Sequence, residues 1–371
     1  MNSKNILYVV NVDWFFISHR LPIAIAAKEN GYHVTIATTN TGRFEELKNL
    51  GFQLYDLNVI RSGTNPFLEI AIILKLIKIF RIVKPTIVHN ITLKMAIYSS
   101  IATHFAFVPK VVNAISGLGY NFTLERKTLP QKIIYKLMKF AFRNKDSSFI
   151  FQNPADLNLF KSLGFNNRNK MYLIKGAGVD LDLFVPSKDK FRTGTTFILT
   201  SRMLKDKGIS EYLAACKIVS QRYPATKFIL VGDLDIENLA SYTEKELRQE
   251  LIGSQVNWVG FRDDILELLW KADVMVFPSY REGLPKSLVE AAAVGLPIIT
   301  TDAIGCRECV DDGINGFLVP VKDPISLANK MIKFIQDPYL IQKMGRESRL
   351  KAEREFSLKM VIEKTFQIYE C

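Results

Sequence analysis

The chain has 371 residues, enough for two domains at about 100–200 residues each. Hydrophobic residues make up 48% and charged residues 23%, which excludes wholesale disorder, and no apolar run reaches the roughly 18–20 residues that span a bilayer. The charge is lopsided: residues 1–170 carry 22 Lys/Arg against 9 Asp/Glu, a balance of +13, and residues 171–371 carry 27 against 28, a balance of −1. A basic half joined to a neutral half suggests a partner with an anionic surface, either nucleic acid or an acidic membrane. The plain alternative is a basic protein kept soluble by its charge. Four cysteines make no disulfide framework. The start, Met1-Asn-Ser-Lys4, runs into a strand without the pattern of a secretory signal, so a cytoplasm-facing chain is expected.

Along the chain, short apolar runs alternate with helical periodicity. Lys4 to Val12 reads as a buried strand. A helix from about His19 to Asn30 ends at Gly31, where a left-handed residue fits. His33 to Thr38 is a second strand, and Phe44 to Leu50 with Gly51 a second helix. Pro66 to Val83 is a longer helix with Lys75, Lys78 and Arg81 on one face, and Thr86 to His89 is a strand introduced by Pro85. Lys127 to Lys145 is a further basic, apolar helix. The pattern restarts with the strand Thr195 to Ser201 and the helix Ile209 to Tyr223. Lys227–Gly232, Val256–Gly260, Asp273–Ser279 and Pro297–Thr301 follow as strands. The domain boundary falls in Gly176–Thr195, rich in Gly, Asp, Pro and Lys. Strands alternating with helices of ten or more residues mean parallel sheets covered on both faces, with ligands at the carboxyl ends of the strands.

Several short motifs lead nowhere. There is no GxxxxGK[ST] loop, and Gly117-Leu-Gly119 lacks the third glycine of a dinucleotide fingerprint at Phe122. Cys306-Arg-Glu-Cys309 has no second pair or His cluster to complete a zinc site. Asp233-Leu-Asp235 and Asp180-Leu-Asp182 match a metal-binding DxD pattern only literally. His89, after a strand, reads equally as a structural histidine, whereas Lys94, beyond the same strand end, is an acceptor-side candidate. The informative stretch is Asp273 to Pro297, read as strand, tight loop, helix and strand. Pro285 suits the first turn of the helix, and Gly283 lets backbone approach a ligand. The N–H groups and positive helix end then favour phosphate or sugar hydroxyls. Glu282 and Glu290, with seven residues between them, can both face that pocket.

This segment resembles the E-x7-E element of the retaining glycosyltransferases of family four. Thr200 to Gly208, with Arg202 and Lys207, resembles the family's segment that holds the donor diphosphate. Gly178-Val-Asp180 with Phe184 and Pro186, Val259 to Arg262 with Ala272-Asp273, and Asp311 to Phe317 resemble further family elements, in the correct order over residues 176–320. Asn11 to Pro22 and Ile115 to Phe122 resemble a narrower group, the polyprenyl-diphosphate-linked N-acetylhexosaminyltransferases of bacterial surface-glycan pathways. Two departures stand out: the Gly-Gly pair of many relatives' first loop is missing, and Ser116-Gly117 stands where many carry a pocket histidine.

The resemblance implies an α/β GT-B fold, two Rossmann-like doubly wound parallel-sheet domains facing a central cleft. It implies an acceptor domain over 1–180, a nucleotide-sugar domain over 181–355, and a C-terminal helix over 356–371 packing back on the first. It implies transfer of a hexose or N-acetylhexosamine from a UDP-sugar to a polyprenyl-diphosphate-linked saccharide, with no cofactor and no metal. Arg202, Lys207 and Glu282 are the catalytic candidates. Arg262, Gly283, Leu284, Pro285, Lys286, Ser287 and Glu290 are the donor-binding candidates, and His19, Arg20, Lys94, Ser116 and Gly117 the acceptor-side ones. The expected setting is peripheral, on the cytoplasmic face of the plasma membrane, against an anionic lipid surface rather than nucleic acid. A nucleotide-sugar epimerase of the same fold is the competing enzyme, but it needs acid/base residues that four histidines supply poorly. A nucleic-acid-binding protein would interleave aromatics with its charges on a strand surface or groove, whereas here the charges lie on apolar helices.

Overall fold

A computed structural model describes residues 4–59, 65–118, 129–143, 147–165, 169–187 and 194–371. Gly119 to Phe122, Lys127, Lys145 and residues 188–193 of the expected boundary lie outside the described residues. The chain divides into two compact units, one of residues 1–177 and 360–371, the other of residues 178–359.

The first unit runs β1 (Asn5–Val12), α1 (Asp13–His19), α2 (Leu21–Glu29), β2 (His33–Thr39), α3 (Phe44–Asn49), β3 (Gln53–Asp56), α4 (Pro66–Val83) and β4 (Ile87–Ile91). It continues with α5 (Leu93–Ala102), β5 (Lys110–Ile115), α6 (Leu129–Ala141), β6 (Ser147–Phe151), α7 (Pro154–Phe160) and β7 (Lys170–Leu173). Its seven strands are ordered β3-β2-β1-β4-β5-β6-β7, every described pair parallel. The expected first helix from His19 is α2, which starts at Leu21 with Pro22 in its first turn, and a separate helix the periodicity did not give, α1, precedes it and ends at His19. Helix α4 has the bounds the periodicity predicts. Asn65 caps it by accepting from Phe67 N–H, Pro66 opens it, and Lys84 ends it in the left-handed region ahead of Pro85. The C-terminal helix α14 (Leu358–Glu370) buries Val361, Ile368 and Tyr369 in the core beneath β1, β2 and β4.

The second unit runs β8 (Thr196–Thr200), α8 (Ile209–Arg222), β9 (Lys227–Val231), α9 (Glu244–Leu251), β10 (Val256–Trp258), α10 (Ile265–Trp270) and β11 (Val274–Phe277). Then come α11 (Lys286–Ala293), β12 (Ile298–Thr301), β13 (Gly316–Val319), α12 (Pro324–Gln336) and α13 (Pro338–Glu355). The sheet order is β10-β9-β8-β11-β12-β13, again parallel throughout. Strands β8, β11 and β12 are buried on both faces, as their unbroken apolar runs require. One core packs α11 and α10 on one face, and a second packs α8 and α12 on the other. The order reverses between β8 and β11, and at such a switch point the carboxyl ends of the strands border the crevice in which ligands bind.

Candidate active site

The crevice of the second unit is closed by its own backbone. After β8 the chain passes Arg202 and forms a short 3-10 turn, Lys205–Lys207, that ends at Gly208. The Asp206 carbonyl accepts from Tyr280 N–H at 2.9 Å and lies 3.2 Å from Ser279 Oγ, which stitches this turn to the loop leaving β11. The stitching brings Lys207 Nζ to 2.5 Å from Glu282 Oε1, with the side chains 12% and 15% exposed. Ser279 Oγ donates to the same Glu282 oxygen at 2.7 Å.

Two glycines make the approach possible. Gly208 has φ +73°, and a Cβ there would lie 2.1 Å from the Pro278 carbonyl oxygen. Gly305, at φ +85°, lies under Glu282, where a Cβ would meet that residue's carbonyl oxygen at 2.3 Å; Glu282 N–H donates to Ile304 O at 2.9 Å. Only glycine combines a left-handed backbone with such contact. The thiol of Cys306, next in the chain, is pushed up to about 12 by burial and then by the Glu282 charge. Cys306 and Cys309 are both buried free thiols.

Arg202 pairs with an acid of its own. Its Nη1 lies 2.5 Å from Asp235 Oδ2, so half of the literal DxD pattern is the counter-ion of an arginine. Among the described residues no group of three or more His, Cys, Asp or Glu could hold a metal ion. Helix α11 starts at Lys286, with Pro285 at the N-cap rather than inside the first turn and no side chain capping the first N–H groups. Leu284 and Pro285 are buried, and Leu284 packs in the core, so these two offer the site backbone rather than side chain. Gly283, Lys286 and Ser287 are half-buried. Glu290 lies one turn into α11 with Lys286 Nζ 3.2 Å away. Burial raises the Glu290 carboxyl above its ordinary range, against the opposing Lys286 charge. Arg262 stands beyond β10, two strands from the crevice, gripped by Asp264 through bonds of 2.7 and 2.5 Å.

The acceptor-side candidates are scattered over the first unit. His19 closes α1, its ring stacked on Phe15 at 4.1 Å. Arg20 is buried at 3% exposure, donates to the His19 carbonyl at 2.9 Å, and is pushed down to about 10 by burial against the favourable pull of Tyr369 and Tyr8. His89 lies within β4 rather than after it. It is buried, with Nδ1 2.6 Å from the Tyr369 hydroxyl, and held well below its ordinary pKa by burial and then by Arg20. Lys94 opens α5 in an ion pair with Glu69 at 2.9 Å. Ser116 and Gly117 follow β5, half-buried, with Gly117 at φ +145°. The reading of the sequence missed Asp235 and Ser279 as partners of the candidate residues. Their signal was position: each follows the carboxyl end of a strand in the central part of the sheet.

Residues 5–153 match the family described as glycosyl transferase 4-like, and residues 184–351 match glycosyl transferases group 1. The chain is 25% identical, over 96% of its length and 97% of the relative's, to the N,N'-diacetylbacillosaminyl-diphospho-undecaprenol alpha-1,3-N-acetylgalactosaminyltransferase of Campylobacter jejuni. It is 27% identical, over 80% of its length and 78% of the relative's, to the UDP-Gal:alpha-D-GlcNAc-diphosphoundecaprenol alpha-1,3-galactosyltransferase of Escherichia coli. Among solved structures it resembles sucrose-phosphate synthase from Thermosynechococcus elongatus, with TM-score 0.81, 19% identity and coverage of 99% of this chain and 98% of that one. It also resembles HepE of Anabaena in complex with UDP, with TM-score 0.75, 21% identity and 99% of each chain covered. The fold is GT-B, and the chain belongs to the glycosyltransferases that join a transferase 4-like domain to a group 1 domain.

Proposed function

We propose that the protein transfers a hexose or N-acetylhexosamine from a UDP-sugar to a polyprenyl-diphosphate-linked saccharide in bacterial surface-glycan synthesis. The anomeric configuration is retained, and the reaction takes place at the cytoplasmic face of the plasma membrane. The single observation that carries this reading is the convergence of Lys207, Ser279 and Glu282 on one point at the β8/β11 crevice, inside the group 1 domain. Supporting it, the Escherichia coli relative is named for a UDP-galactose donor, and both relatives for an undecaprenyl-diphosphate acceptor. These relatives are transferases, which favours transfer over epimerisation.

The chemistry follows from where charge develops. As the glycosidic bond to phosphate breaks, the sugar ring turns positive and the diphosphate more negative. Arg202 offers forked N–H donors to phosphate oxygens, and Lys207 a compact charge. The uncapped N–H groups at Lys286 and Ser287 add the positive end of α11. Such preorganised donors are worth roughly 3–4 kcal/mol each when removed in other enzymes. Glu282 then accepts from sugar hydroxyls while its charge, already compensated by Lys207, stays tolerable in a half-enclosed site. Glu290 accepts from the ribose, and Arg262 and Gly283 are assigned to the base and the diphosphate. Attack on the same face, with the leaving phosphate taking the acceptor proton, retains configuration without a covalent nucleophile. His19, Lys94, Ser116 and Gly117 are assigned to the acceptor side.

The test is a donor screen. Nucleoside diphosphate release is measured for UDP- and GDP-sugars with a polyprenyl-diphosphate saccharide acceptor. Release from a UDP-sugar that depends on the acceptor supports the reading. Release from GDP-sugars alone, or from none, overturns it.

A further inference from the structure

The literal DxD pattern Asp233-Leu-Asp235 has no part in the proposed reaction, yet the loop that carries it is built with care that burial does not explain. Between β9 and α9, residues 232–242 bury only Tyr242, and Ile236 and Leu239 stand 95% exposed. Hydrogen bonds hold the loop instead. Asp235 N–H donates to Ser241 Oγ at 3.0 Å, and the Asp235 carbonyl accepts from Asn238 N–H at 2.7 Å. Asn238 closes the turn, its Oδ1 accepting from Ala240 N–H at 3.0 Å and its carbonyl from Ser241 N–H at 2.9 Å. Both backbone polar groups of Asp235 are thereby fixed.

The loop is strapped along the segment that carries Arg202. Met203 N–H donates to the Asp233 carbonyl at 2.9 Å, Tyr242 N–H to the Met203 carbonyl at 3.0 Å, and Lys205 N–H to the Ala240 carbonyl at 2.9 Å. Leu204 and Ser241 form an antiparallel bridge. Gly232 permits the close approach: at φ +131°, a Cβ there would lie 1.7 Å from the Ser201 carbonyl oxygen. Thr200 of β8 is opposite Val231 of β9, so the two segments leave the sheet side by side at its carboxyl end. From this strap Asp235 Oδ2 meets Arg202 Nη1 at 2.5 Å, the acid 10% exposed and the arginine 40%. An ion pair with one member so open adds little to stability. Its use is the placement of the guanidinium.

We propose that Asp235 is a positioning residue for Arg202. The strapped carboxylate fixes the guanidinium where the departing diphosphate develops its charge, so the donor meets an arginine already placed. A guanidinium has five N–H donors in a rigid fork, so one can go to Asp235 while others reach phosphate oxygens. Two opposed effects follow. The acid orders a long side chain before the reaction, and it also cancels part of the positive charge that attracts the donor. Asp235 therefore favours turnover without tightening ground-state binding. Removal of Arg202 alone reverses the effect, because an enclosed carboxylate is then left unpaired beside the diphosphate. The proposal rests on the diphosphate role of Arg202 in the proposed reaction and adds the group that places it.

A double-variant cycle on the full chain tests it with two readouts, nucleoside diphosphate release from the UDP-sugar the wild type accepts and calorimetric binding of UDP alone. Asp235→Asn should lower kcat about 10- to 100-fold. Donor KM and UDP affinity should stay within about threefold of the wild type. Asp235→Glu should recover part of kcat. Adding Asp235→Asn to Arg202→Ala should lower kcat no further, and should tighten by about threefold or more the UDP binding that Arg202→Ala weakens. Full turnover in Asp235→Asn, losses that multiply in the double variant, or UDP binding no tighter there than in Arg202→Ala would overturn it. Turnover of Asp235→Asn restored by excess manganese would also overturn it, marking a metal ligand. A wild type that binds UDP but releases none with any acceptor would instead defeat the proposed reaction, and the cycle would then be decided on UDP binding alone. No UDP binding by the wild type would overturn both.

Discussion

Replacing Gly208 by alanine tests whether the close approach of the two loops is what makes the site. The new Cβ would lie 2.1 Å from the Pro278 carbonyl oxygen, against a floor of 3.0 Å for real contacts, so the turn must retreat by about 0.9 Å. That turn ends in Lys207, which is held 2.5 Å from Glu282. A misplacement of about 1 Å in a positioned group can lower rate about 10²-fold. Gly313 is the matched control, because its φ of +77° is nearly the +73° of Gly208 yet nothing lies within 4 Å of its would-be Cβ. Gly313→Ala should therefore suffer only the left-handed strain, about 1–2 kcal/mol, seen as a Tm lowered by a few degrees with turnover intact. Gly208→Ala should show that strain, additional destabilisation from the clash, and about 10²-fold lower kcat/KM for nucleotide release. Thermal melts and initial rates on both variants decide it. Near-wild-type turnover in Gly208→Ala, or equal losses in the two variants, would refute the reasoning.

Arg202→Ala and Lys207→Ala should each lower kcat by about 10²–10³ with little change in circular dichroism; full activity in either removes that residue from the mechanism. Chelation should leave turnover unchanged if these cations and α11 carry the diphosphate charge, and a loss in EDTA that manganese restores would move attention to Asp233 and Asp235. Burial raises the Glu290 carboxyl above its ordinary value of 4.5, so proton uptake there favours the folded state at low pH and that contribution fades as pH rises through the raised value. Glu290→Gln should accordingly raise Tm at neutral pH, with the gap closing as pH falls toward and below that ordinary value; melts across the acid-to-neutral range showing a gap that widens toward acid would contradict this.

Much of the architecture was legible because its signals are local. Proline and glycine punctuate the helices where the backbone needs them, as Asn65-Pro66 and Lys84-Pro85 do around α4, and the unbroken apolar runs of β8, β11 and β12 announce strands covered on both faces. The site was legible as a set of segments in order, with Arg202, Lys207, Glu282 and Glu290 each placed in its loop or helix. Partnership was not legible, since it depends on strand order. Lys207 meets Glu282 across 75 residues because β8 and β11 are neighbours in the sheet. Asp235 is an arginine's counter-ion rather than a metal ligand because β9 delivers it beside Arg202. The burial of Arg20 was not legible either, because α14 arrives from the far end of the chain, brings Tyr369 toward it and sets the same tyrosine against His89, 280 residues away. Sequence alone determined which backbone conformations were available. The packing of distant segments decided which charges were buried together, because burial and pairing belong to neighbours in space.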